Sequence, residues 1–168
     1  MALQLVNAST NYLYFNSAFN AYSAVDTPIN QWNNVVFVFD GSEANVDRIK
    51  LYVNGSRITA SITGTIDATL GTFGASTLAN LAAASTGGSL YALNGEIANT
   101  QIWTTSLGTT DVTTLYNNGV PLLTGTQPQA ANLKAWYPMN VDNATWNGSN
   151  WIIEDSSTPY SGTINFQI

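Results

Sequence analysis

Short apolar runs broken by Asn, Gly, Ser and Asp recur along this chain, at about the dozen-residue spacing of antiparallel strands in a sandwich or barrel. LQLV (3–6), YLYF (12–15), FNAYSAV (19–25), VVFVF (35–39), RIKLYV (48–53), RITASI (57–62), SLYALN (89–94) and EIANTQIW (96–103) all read as strands. In VVFVF, Val35, Phe37 and Phe39 point one way while Val36 and Val38 point the other, so both faces need cover. RIKLYV alternates instead, which places Ile49, Leu51 and Val53 inward and Lys50 and Tyr52 outward. Asn54-Gly55 follows, the pair that suits a type I′ turn, so RIKLYV and RITASI are expected to form a hairpin.

One helix is expected, in TTDVTTLYNNG (109–119). Thr110 caps it, Asp111 meets the positive end of the dipole, Val112, Leu115 and Tyr116 share a face, and Gly119 ends it. From 120 to 132 the chain turns to Pro, Gly, Gln and Thr, a linker-like passage. An aromatic arm, 133–168, then opens with LKAWYPMN. Leaving Trp136, Tyr137, Trp146, Trp151, Ile152, Ile153, Ile164 and Phe166 in water would forgo about 1.5–3 kcal/mol for each large side chain, so the arm is expected to dock.

Composition narrows the classes. A chain of 168 residues suits one domain, and 45% hydrophobic residues argue against disorder although only 8% are charged. Polarity comes from Asn, Thr, Ser and Gln, as on exposed β-surfaces and turns. Arg48, Lys50, Arg57 and Lys134 face ten acidic residues, a balance that disfavours nucleic acid and anionic membrane as partners. No run approaches a membrane-spanning length. The N-terminus lacks a basic stretch followed by an unbroken apolar one, so a fragment of a longer protein and release by cell lysis are the two routes outward.

QWNNVVFVFDG, KLYVNG and GEIANTQIWTTSLGTTDVTTLYN together resemble the laminin G-like branch of the concanavalin A-like lectin/glucanase family. The matching positions are Trp32, Asp40-Gly41, Val53-Asn54-Gly55, Gly95-Glu96-Ile97, Ile102-Trp103 and Leu115-Tyr116, in order across about 31–117. Asn33 stands where the family often has His, and Ala98 where it has an acidic residue. The resemblance implies an all-β, two-sheet antiparallel jelly-roll sandwich of the concanavalin A-like kind with one short helix. It also implies that Ala135-Trp136-Tyr137-Pro138 and the following Asp155-Ser156-Ser157 correspond to the family's opening strands, moved to the end. Three arrangements follow: a circular permutation in which 133–168 completes its own sandwich within a single domain 1–168, donation of the arm to a neighbouring subunit, or a second module cut short.

The chemistry expected is binding. Glycoside hydrolysis needs two carboxylates facing one cleft, about 5–9.5 Å apart, and the glucanase Glu-x-Asp-x-x-Glu is absent. Glu43 and Asp47 flank a loop, while Glu154 and Asp155 are adjacent and so point to opposite faces of a strand. Without His or Cys there is no Ser–His or Cys–His nucleophile and no usual zinc ligand set. Calcium needs only oxygen ligands, and Asp142, Asn143 and Asp155 are the candidates, although Asp-Asn and Asp-Ser are also ordinary turn formers. The cofactor expectation is therefore none, or calcium. A carbohydrate platform wants exposed aromatics beside amides, and WNGSNW offers Trp146, Asn147, Asn150 and Trp151, against the alternative that both Trp are core. By analogy with similar sandwiches, the first expectation is a non-enzymatic virion surface module, a capsid decoration or tail-associated protein that assembles with other structural subunits as a homo-oligomer and adheres to host glycans. A lectin or adhesion module excised from a larger secreted, extracellular protein is the second, and a degenerate hydrolase the third.

Overall fold

A computed structural model describes residues 2–7, 11–16, 20–23, 28–69, 83–86, 89–93, 95–122, 125–157 and 163–166. The chain divides into two compact units, Met1–Asn94 with Gly108–Val120, and Gly95–Leu107 with Pro121–Ile168. All described strand pairs are antiparallel, and among the described residues there is one α-helix.

In the first unit, β1 (Ala2–Asn7), β2 (Asn11–Asn16) and β3 (Asn20–Ser23) form a meander. Next come β4 (Val35–Phe39), β5 (Ile49–Val53), β6 (Ser56–Ile58), β7 (Ala60–Thr63), β8 (Ala83–Thr86) and β9 (Ser89–Ala92). The sheets run β1-β2-β3-β7, β4-β5-β6 and β8-β9. RITASI is thus two strands: β6 pairs with β5, the chain breaks at Thr59, and β7 pairs with β3 in the other sheet. A uniform run of strand-forming residues conceals such a switch, because its cause is a partner some forty residues upstream.

Asn54 and Gly55 adopt φ of 51° and 76°, the two positive values a type I′ turn requires. The Asn54 N–H donates to the Asn34 carbonyl at 2.8 Å, and its side-chain oxygen accepts from the Asn34 N–H at 2.9 Å. Phe37 and Phe39 on β4 share a face with Ile49 and Leu51 on β5. There Phe37, Phe39 and Ile62 of β7 pack against buried Ile49 and Ile66, so residues of two sheets meet in one core. On the opposite face Val38 is buried, and so is Tyr52 at 1% exposure. Tyr52 therefore does not point to solvent as the alternation implies.

Its cover is α1 (Thr109–Tyr116). The Tyr52 and Thr109 hydroxyls lie 3.3 Å apart, and a Cβ on Gly55 would meet the Tyr116 ring at 3.0–3.2 Å. Val112 and Leu115 are buried, as their helical spacing requires. The caps sit elsewhere than expected. Gly108 is the N-cap, two residues before Thr110, and its N–H donates to the Asp111 carboxylate at 3.1 Å. At the other end Asn117 takes the left-handed conformation, ending the helix two residues before Gly119.

In the second unit, β10 (Thr100–Trp103) pairs with β11 (Leu133–Tyr137), while β12 (Ala144–Trp146), β13 (Trp151–Glu154) and β14 (Thr163–Phe166) form a three-stranded sheet. EIANTQIW is a strand only from Thr100, because Asn99 before it has φ of 54° and interrupts extension. The linker-like passage is bonded both to β10 and to itself. The Trp103 indole N–H donates to the Pro128 carbonyl at 3.1 Å, and the buried Gln127 amide donates to the Leu122 carbonyl at 2.8 Å.

Candidate functional site

The β12–β13 hairpin brings the WNGSNW residues into one tight structure. Asn147 makes the turn: its side-chain oxygen accepts from the N–H groups of Ser149 at 3.0 Å and Asn150 at 2.8 Å, and its own N–H donates to the Asn150 carbonyl at 3.1 Å. Gly148 supplies a φ of +99°. This closure sets the register, and Trp146 stands directly opposite Trp151. Their ring centroids are 5.7 Å apart and their planes are inclined by 55°, within the range of favourable aromatic pairs. Neither ring is core. Trp146 is 48% exposed and Trp151 41%, while Ile153, two residues beyond Trp151 on the same face of β13, is buried. Asn147 and Ser149 are exposed and Asn150 is half-buried.

The three calcium candidates fall in a different kind of structure. Asp142 is exposed in a turn spanning Val141–Asn143, and the Asn143 side-chain amide donates to the Ser156 hydroxyl at 2.9 Å. Asp155 Oδ1 accepts from the Trp136 N–H at 2.9 Å and the Ser157 N–H at 2.8 Å. The Ser156 N–H donates to the Trp136 carbonyl at 2.7 Å, and the Ser157 hydroxyl to the Lys134 carbonyl at 3.3 Å. Asp155-Ser156-Ser157 is therefore a clamp along β11, flanking it much as a strand would. Among the described residues no three acidic or histidine side chains gather closely enough to hold a metal ion.

Trp136 is the centre of that clamp, 6% exposed, with its indole N–H donating to Asn99 Oδ1 at 2.7 Å. The sequence marks it as an apolar side chain that must dock and names no partner for its indole. Its partner Asn99, at φ of 54°, lies just before β10, and no sequence pattern pairs it with the indole. Beside it, the Tyr137 hydroxyl titrates above its ordinary value of 10.0, first because burial disfavours the phenolate and second because the Asp155 charge repels it. The folded form thus favours the protonated phenol, a contribution present below the unfolded pKa and lost as pH rises through the higher folded one. Tyr137 is expected to deprotonate late in a tyrosinate titration, its contribution to stability falling above about pH 10, and Asp155→Asn is expected to bring that titration down.

Glu43 pairs with Lys50 at 3.0 Å and Asp47 with Arg57 at 3.1 Å, and Glu154 is exposed while Asp155 is drawn toward β11. Trp32 shows what the sequence pattern missed on the first unit: the most exposed tryptophan, at 63%, stands on a loop fastened by the Asn33 amide to the Pro28 carbonyl at 2.8 Å.

With that geometry in place, comparison with known proteins gives the class. Residues 2–113 match the family model of the concanavalin A-like lectin/glucanases superfamily. The chain belongs to that superfamily, and the laminin G-like resemblance read from its motifs agrees. The matched span holds β1 to β10 and the start of α1, whereas β11 to β14, with the tryptophan hairpin, lie outside it. No curated protein and no solved structure matches the chain.

Proposed function

We propose that this chain is a non-catalytic carbohydrate-binding module whose ligand surface is the tip of the β12–β13 hairpin. The observation that carries the proposal is the half-exposed Trp146–Trp151 pair, held in register by a turn whose amide is locked to the backbone. Burial normally claims tryptophan, and two of them opposite each other at a strand end, beside exposed Asn147 and Ser149, form the apolar-plus-amide surface that sugars need. Glu43 and Asp47 are each held in an ion pair, with Lys50 and Arg57, and the glucanase Glu-x-Asp-x-x-Glu is absent from the sequence, which favours binding over hydrolysis.

The pairing of β11 with β10 and the clamp at Asp155 support reading 133–168 as the sandwich's opening strands in permuted order. The Asn-, Thr- and Ser-rich, cysteine-free composition suits a virion surface, with other structural subunits as partners and host glycans as ligands. A glycan array probed with the full chain, with and without calcium, is expected to show ligands that the Trp146→Ala/Trp151→Ala variant loses. Uniform silence in both conditions would remove the proposal.

A further inference from the structure

Resting on the reading of the hairpin as a glycan-binding surface, we infer that it takes the apolar face of a single neutral sugar residue, and that anionic glycans are not its ligands. Three observations lead there.

The first is the spacing of the rings. To sandwich a sugar between them, two indoles must stand two stacking distances apart, about 7–8 Å. Trp146 and Trp151 have centroids at 5.7 Å and are in contact with each other. Nothing fits between them, so a ligand meets the pair from outside.

The second is the inclination. Planes at 55° do not form a flat run along which successive sugars of a straight chain can each stack. They form one creased patch, suited to the axial C–H groups of one residue. The turn between the rings adds polar groups: Asn147 Oδ1 is committed to two backbone N–H groups, which fixes that side chain and leaves its Nδ2 and the exposed Ser149 hydroxyl to meet sugar hydroxyls.

The third is charge. The unit that contains the hairpin has one cationic side chain, Lys134, against Glu96, Asp142, Glu154 and Asp155. Lys134 lies on β11, not on the hairpin. Sulfate and uronate groups are recognised by Arg and Lys, and here they would meet a negative field instead.

The experiment is a titration of the ¹⁵N-labelled full chain, followed by the five indole N–H resonances. Its probes are neutral gluco-, galacto- and manno-configured saccharides from disaccharide to hexasaccharide, and heparin and polygalacturonate hexasaccharides. The Trp146 and Trp151 resonances are expected to move with at least one neutral series and with neither anionic one. Affinity is expected to change less than about threefold from disaccharide to hexasaccharide, and to fall about tenfold on either Trp146→Ala or Trp151→Ala. Trp151→Phe, which keeps a ring in place, is expected to retain most of the binding and guards against loss of the hairpin itself. Binding of the anionic probes alone, weakened by salt, would overturn the neutral class while leaving the hairpin as a glycan surface. A steep rise of affinity with chain length would overturn the single-residue platform. Shifts confined to Trp32, Trp103 or Trp136, or no shift with any probe, would overturn the reading of the hairpin together with this inference.

Discussion

Replacing Trp136 by alanine is expected to lower the stability of the protein by about 4 kcal/mol, the middle of the range for deleting a buried aromatic side chain. Two effects combine. The indole is almost wholly buried, so its removal leaves a large cavity, and its N–H no longer reaches Asn99 Oδ1 at 2.7 Å. The two can be separated. Trp136→Phe keeps an aromatic ring and loses the donor, and is expected to cost about half as much. Urea unfolding curves for the wild type and both variants measure the difference. A loss below about 1 kcal/mol for Trp136→Ala would show that β11 and its clamp are not an integral part of the fold.

Gly41→Ala is expected to cost about 3 kcal/mol, from crowding instead of a cavity. A Cβ at Gly41 would overlap the Ala68 carbonyl oxygen and come within 2.9 Å of its carbon, and backbone cannot rotate away as a side-chain tip can. The loop bearing Ala68 is held in place by both sides of Ile66. Its carbonyl accepts from the Arg48 guanidinium at 2.6 Å, and its N–H donates to Asn45 Oδ1 at 2.6 Å. Relief of the overlap therefore requires breaking those bonds. Thermal unfolding of Gly41→Ala beside Gly41→Ser checks the expectation, since both carry a Cβ and both should fall together. An unchanged midpoint would mean that the loop yields freely.

Local demands were the most legible part of the fold. Asn54-Gly55 declares a turn because few other pairs accept positive φ at both centres, and the hairpin formed there. Val112 and Leu115 declare a helix face, and that face is buried. Distant partners were not legible. Tyr52 reads as outward because alternation knows only the strand, whereas its cover arrives from α1, 57 residues on. The break at Thr59 needs knowledge of β3, and β8 escaped notice because Ala-Ala-Ser-Thr has no apolar alternation. At the candidate site, composition singled out Trp146 and Trp151 but left their burial open, because a tryptophan pair beside a turn satisfies core and surface equally well. Asp155 read as a calcium candidate for a similar reason. A carboxylate before two serines suits a metal loop or a turn, and only the approach of the Trp136 N–H shows which backbone it serves here.

The antiparallel pairing of β10 with β11 joins segments more than thirty residues apart in sequence, Thr100 against Tyr137. During synthesis β10 leaves the ribosome well before its partner exists. For that interval its unsatisfied edge, with the exposed Ile102 beside it, is open to any passing strand. Nascent chains halted just short of Leu133 should therefore be the aggregation-prone species, and the speed at which the ribosome crosses the intervening stretch sets how long that hazard lasts.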